Sequence, residues 1–328
     1  MKLSFYKLIF RFSLLSALCV IVFSPLLSAH EASLVSARVD QVCSQLQNGE
    51  SPEKIFSISL ANLPDNEVHA KWLDPREWVP DANQREIARY VGSLAFARLN
   101  APFFRVYRAA VSFPDEPKFI PGISSTKVLE RTKQGNDKEI VLLERERGIP
   151  LALRAILTKD SHYRILDTIA SKKDSWLLVR VKLDPSQHQR KGLMKVIEAF
   201  EFYKKLQDDR VLMVTGGFAL PNTGVLPAKN GDSEPKKLLK PLSTVTMGVL
   251  DKVVSTLDVR SQIYKLVSQA VLEGTYENVA ALTQITTDPR WKDKWAYQLT
   301  PEDSKQIFDE NKAVLEKAKK NRWIVYQS

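Results

Sequence analysis

The rhythm of apolar residues changes three times along the chain. After an apolar run at the N-terminus, Val35, Val39, Val42, Cys43 and Leu46 recur with the spacing of one helix face. Gly49 stands where a helix C′ residue belongs. Ser51-Pro52-Glu53 then supplies an N-cap, an N1 proline and a first-turn acid for a second helix reaching about Leu63. Beyond the proline-punctuated stretch Trp72–Pro80, Asn83 and Glu86 open a predicted amphipathic helix through Ile87, Tyr90, Val91, Leu94 and Arg98. Phe103–Phe113 is aromatic and reads as extended.

From about Ser125 the period becomes that of strands. Short β-rich runs occupy Ser125–Arg131, Glu139–Arg147, Leu151–Thr158, Tyr163–Ala170 and Trp176–Leu183, separated by turn-type clusters. The gaps are too short for crossover helices, so the runs predict an antiparallel meander. Charges recur within them, Arg145 and Arg180 among others, which gives the sheet a solvated face or a polar concavity. A helix is expected from about Gln187 to Leu206 and a strand at Val211–Thr215. Pro221–Pro241, with four prolines, reads as a linker or long loop. The pattern then turns helical at Leu242–Val271 and Thr275–Ile285. Thr300-Pro301-Glu302-Asp303 starts a last helix to Lys320, and Trp323–Tyr326 suits an edge strand.

The fold class expected is therefore α+β: N-terminal helices, a central antiparallel β-meander packed with a helix, and a helical C-terminal part. The divisions are 1–29, 30–220, 221–241 and 242–328. A highly curved sheet with helices in its hollow is one arrangement that suits these elements.

The first 29 residues change the picture of where the protein works. Lys2, Lys7 and Arg11 precede an apolar run from Phe12 to Leu27, and Ala29 offers a small cleavage-site residue. This is the pattern of a cleaved secretory signal peptide. Removal of residues 1–29 leaves 45 basic and 38 acidic residues, a net charge of +7, with Cys43 the only cysteine. A single thiol and eleven asparagines with no Asn-x-Ser/Thr favour a bacterial periplasmic or secreted protein over a eukaryotic one. For a basic exported chain the expected partners are an anionic lipid headgroup, an acidic cell-wall polymer or an envelope protein, and not nucleic acid.

Candidate chemistry is sparse. His30, His69, His162 and His188 show no metal-ligand spacing and no CxxC exists, so no metal or cofactor is expected. Gly216-Gly217 lacks the third glycine and the helix start of a dinucleotide site. No GxSxG or SxxK motif is present, and Cys43 lies on an apolar stripe, so catalysis is not indicated. Two clusters remain. Trp72, Asp74, Glu77 and Trp78 would suit a glycan cleft, with indoles to stack on sugars and Asp74 and Glu77 as the acids. Arg85, Arg89, Arg98, Arg105 and Arg108, with only Glu86 among them, would bind phosphate or lipid headgroups. The sequence thus points to an exported, non-enzymatic envelope protein that binds an anionic or amphipathic partner or acts in an assembly. A cell-wall or surface glycan hydrolase and a secreted effector acting on a host are the alternatives.

Overall fold

The computed structural model describes residues 30–60, 63–148, 161–172, 175–184, 194–221 and 259–326. The expected signal segment, the run Leu151–Thr158 and nearly all of the Pro/Gly-rich stretch lie outside these residues.

Helix α1 covers residues 30–47 and buries the whole expected stripe, Cys43 included. Helix α2 (Pro52–Phe56) starts at the expected Ser51 cap, whose hydroxyl accepts from the Glu53 amide. It stops after one turn instead of reaching Leu63, because Ser57 adopts a left-handed conformation (φ 50°). Phe56 is thereby stacked between Trp78 and Phe200, with centroids 5.6 and 5.5 Å away.

Strand β1 (Val68–Leu73) leads through the single turns α3 (Pro75–Trp78) and α4 (Gln84–Ile87) into β2 (Val91–Leu99). The helix expected from Asn83 to Arg98 is therefore limited to α4. Eight of the nine β2 residues are buried, and a run apolar on both faces is what a central strand requires. Phe103–Ala110 is the reverse case. Expected as extended, it forms helix α5, with Phe103 and Val106 buried on one side, and a 3-10 segment (Phe113–Lys118) follows.

The meander is formed by β3 (Ile123–Lys133), β4 (Lys138–Arg147), β5 (Ser161–Lys172), β6 (Trp176–Leu183), β7 (Met194–Lys205) and β8 (Val211–Pro221). Strand β7 stands in place of the described part of the helix expected at Gln187–Leu206, the part before Met194 lying outside the described residues. Phe200 and Phe202 point to one face of the sheet and Glu201 and Tyr203 to the other, and both faces are covered. With apolar residues on both sides, the segment mimics a helical stripe in one dimension. Strand β8 continues through Gly216-Gly217 to Pro221. At Gly217 (φ +154°) an added Cβ would lie 2.3 Å from the Glu198 carbonyl oxygen, so only glycine allows β7 to approach so closely.

The sheet order is β3-β4-β5-β6-β7-β8-β2-β1-β9, antiparallel except for β9 (Ile324–Val325), which pairs parallel with β1 at Ala70 and Ile324. The expected break between C-terminal helices is absent. One helix, α6 (Val259–Thr287), runs through Gly274. Helix α7 (Pro301–Asn321) starts at the expected Thr300–Asp303 capping box. Two apolar layers result. The inner layer joins α6, α5 and one sheet face; the outer layer joins α1 to the other face through residues such as Leu94, Phe200 and Val214. Helix α6 crosses β8, β2 and β1 over small residues, including Ala70 and Ala95, and Ser93 hydrogen-bonds Thr275 at 2.9 Å.

Candidate functional site

Alternation along the meander sends Val141, Leu143 and Arg145 of β4 to the inner face. Ile165, Asp167 and Ile169 of β5 and Ala199, Glu201 and Tyr203 of β7 face the same way. Arg145, Asp167 and Glu201 are thus placed among apolar neighbours by strand parity alone. Asp167 pairs in register with Val181 and Glu201 with Val179, so the two carboxylates lie diagonally across β6. Asp167 is 2 % exposed.

Glu116, from the 3-10 segment, closes one end of this cluster. Its carboxylate accepts from the Thr126 hydroxyl at 2.9 Å and from Arg145 Nη2 at 2.6 Å. Thr126 and Arg145 are themselves register partners on β3 and β4, which is why one carboxylate reaches both. Tyr203 donates its hydroxyl to Glu201 Oε2 at 2.6 Å. Asp167 Oδ1, Arg145 Nε and Thr215 Oγ1 are buried and find no hydrogen-bond partner among the described residues. Buried polar atoms are nearly always paired, so these three carry unused hydrogen-bonding capacity on the inner face.

Burial raises the Asp167 carboxyl to about 8, against the pull of Arg145 and with the help of Glu201 and Glu116. Burial also raises Glu201, despite the hydrogen bond from Tyr203. Burial works to deprotonate Arg145, but Glu116 and Asp167 outweigh it and the guanidinium stays charged. Near neutral pH the inner face therefore holds a guanidinium–carboxylate pair beside a protonated carboxyl, walled by aliphatic side chains. Such a surface can hydrogen-bond the polar end of a molecule and cover its apolar body.

The residues singled out from the sequence lie elsewhere. Asp74 caps α3 and holds Arg76 at 2.7 Å, with the arginine lowering its pKa despite partial burial. Trp72 packs on the inner layer and Trp78 on the outer one, so the two indoles do not face one cleft. Arg85 sits on α4 and Arg89 pairs with Glu86 at 2.6 Å. Arg98 pairs with Asp65. Arg105 donates to the carbonyls of Ile285, Trp291 and Lys294, closing the C-terminal end of α6. Arg108 lies 5.3 Å from the centre of the Trp295 ring. Of the five arginines, only Arg105 and Arg108 come together, beside a shallow surface pocket containing Trp295. Asp167 and Glu201 were missed, although Ile165-x-Asp167-x-Ile169 is a legible signal: one charge on an otherwise apolar strand face.

Among the described residues, no group of three or more His, Cys, Asp or Glu side chains is placed to hold a metal ion. None of the described helices is long and apolar enough to cross a membrane.

These features define an α+β protein in which one long helix lies on a large antiparallel sheet whose inner face also carries a buried polar cluster. No family model matches the chain, and no curated protein matches it. Solved structures of similar arrangement include a STAR-related lipid transfer protein from Xanthomonas axonopodis. It is 12% identical, with a TM-score of 0.38, and the match covers 60% of this chain and 85% of that one. Human StAR-related lipid transfer protein 5 is 9% identical with a TM-score of 0.37, covering 76% and 97% of the two chains. The Streptomyces aromatase/cyclase Zhui is 9% identical with a TM-score of 0.32, covering 60% and 95%. Two of these are lipid transfer proteins and one is an enzyme, so function has to be argued from this chain's own residues.

Proposed function

We propose that the protein is a non-enzymatic carrier or sensor of an amphipathic molecule, bound against the inner face of the sheet. The observation that carries this reading is the set of unpartnered buried atoms, Asp167 Oδ1, Arg145 Nε and Thr215 Oγ1, within an aliphatic wall. Leaving such atoms unpaired costs about 1–3 kcal/mol each, and a bound polar group would recover it. Organic extraction and mass spectrometry of the purified protein test the proposal. An amphiphile at near one-to-one ratio is expected, and its amount should fall in Arg145→Met with the fold retained. A protein that carries no amphiphile and takes up none from mixed lipid vesicles refutes it.

Export through the basic and apolar N-terminal segment, and a place in a bacterial envelope, complete the proposal. A net charge of +7 after removal of that segment would favour anionic membranes. N-terminal sequencing that begins at Met1 would overturn export. Co-sedimentation with anionic vesicles at low salt, equal for wild type and the Arg85→Glu/Arg89→Glu variant, would rule out those arginines as the lipid contact.

A further inference from the structure

We propose that the buried end of the bound amphiphile is a cationic amine, held between the carboxylates of Asp167 and Glu201 beside the Thr215 hydroxyl. This inference rests on the carrier reading above and names its ligand class. The first ground is a count of charges. The inner-face cluster described here brings the carboxylates of Glu116, Asp167 and Glu201 to one guanidinium, that of Arg145. Arg145 is engaged with Glu116 at 2.6 Å, and Thr126 takes the other oxygen of that carboxylate. Among the described residues, Asp167 and Glu201 are thus left with no cation bonded to them.

The second ground is geometry. Thr215 stands directly opposite Glu201 in the β7–β8 register, 7 % exposed, and its hydroxyl has no partner among the described residues. Asp167 Oδ1 has none either. Glu201 receives one hydrogen bond, from the neutral phenol of Tyr203. An ammonium group has three donors and no acceptor, which matches two carboxylates and a hydroxyl. A carboxylate or phosphate head would instead meet two acids in a poorly solvated place, where like charges cannot both stay ionised.

The protonation of the cluster fits this assignment. Burial holds the Asp167 carboxyl at about 8, with Arg145 opposing and Glu201 and Glu116 adding to the rise. At neutral pH Asp167 thus carries a proton. When R–NH3+ enters, that proton leaves Asp167 for solvent, so one positive charge replaces another and the charge of the site is unchanged.

Calorimetric titration of the protein with decylamine, decanol and decanoate, each below its micelle concentration, tests the inference. The three probes share one chain and differ only in the head. Decylamine is expected to bind at least tenfold more tightly than the other two. Repeating its titration in buffers of different ionisation enthalpy should show proton release at pH 7 that disappears by pH 9. Asp167→Asn should weaken decylamine at least tenfold and leave decanol unchanged. Glu201→Gln serves in its place should the first variant lose its near-ultraviolet circular dichroism. Decanol or decanoate binding as well as the amine, or decylamine binding unaltered by both substitutions, overturns the amine and leaves the carrier reading standing. Should none of the three bind, the carrier reading itself falls.

Discussion

Substituting Asp167→Asn removes an ionisable group while keeping its shape, and the structure sets the size and sign of the effect. The carboxyl is raised from its ordinary 3.8 to about 8, chiefly by burial. In the folded state it therefore holds a proton at pH values where the unfolded chain has lost it. Below about pH 4 both states are protonated and there is no pH effect. As pH rises from about 4 towards 8 the unfolded state releases its proton and the folded state does not, so stability falls across that window. Above about 8 the loss is complete. At about 1.4 kcal/mol per pH unit, the whole span corresponds to roughly 6 kcal/mol, an upper figure because relaxation and water entry reduce it. Urea unfolding at pH 5, 7 and 9, followed by tryptophan fluorescence, measures this directly. The wild type should lose stability between pH 5 and 9, and Asp167→Asn should lose markedly less. A residual slope is expected from Glu201, which burial raises in the same direction. If the variant shows the same pH dependence as the wild type, Asp167 is not the protonated group and the charge argument for the inner face fails.

Other expectations concern the framework. Arg180 anchors α1 to the outer face through Asp40 Oδ1 at 2.7 Å and also bonds Glu198 and the carbonyls of Val181 and Ala199; Arg180→Met should cost about 3–5 kcal/mol in chemical denaturation. Burial pushes the Cys43 thiol up to about 12, so a thiol reagent at pH 7.5 should label the native protein far more slowly than the unfolded one. Gly217→Ala should prevent correct folding, because the added carbon meets the backbone of Glu198 and Ala199. Gly274→Ala should be tolerated, because its near neighbour at 2.8 Å is the far end of the Arg147 side chain; expression and melting temperature separate the two cases. Thr300→Ala removes the cap of α7 and should cost about 1 kcal/mol.

Where local chemistry decides an element, the sequence was readable. The α1 stripe, the Ser51 and Thr300 caps and the strands β3, β4, β5 and β6 lie where patterning put them. The fold class was legible for the same reason. The failures share a cause. Strands β2 and β7 are buried on both faces, so period two disappears and chance apolar spacings imitate a helix. At Gly274 the helix continues because tertiary contacts hold it, which propensity does not register. The inner-face cluster was harder still. Arg145 was visible as a charge within a strand, but its partnership with Glu116 depends on a 3-10 segment folding back beside β3. The arginine set failed as one patch because α4 and α5 pack on opposite layers of the sheet.

The pairing of β2 with β8, Val91 beside Ala219, imposes an order of events during synthesis. Strands β3 to β8 join through consecutive hairpins and can zip together as they emerge. The β1–β2 hairpin, made earlier, has no neighbour for its second edge until β8 exists, and β1 waits for the last residues of the chain to supply β9. Loop closure over such separations is slow, and the early hairpin meanwhile offers open edges to other chains. A protein built this way cannot complete either apolar layer from its N-terminal half alone. The delay places the greatest hazard of misassembly at the moment just before β8 arrives.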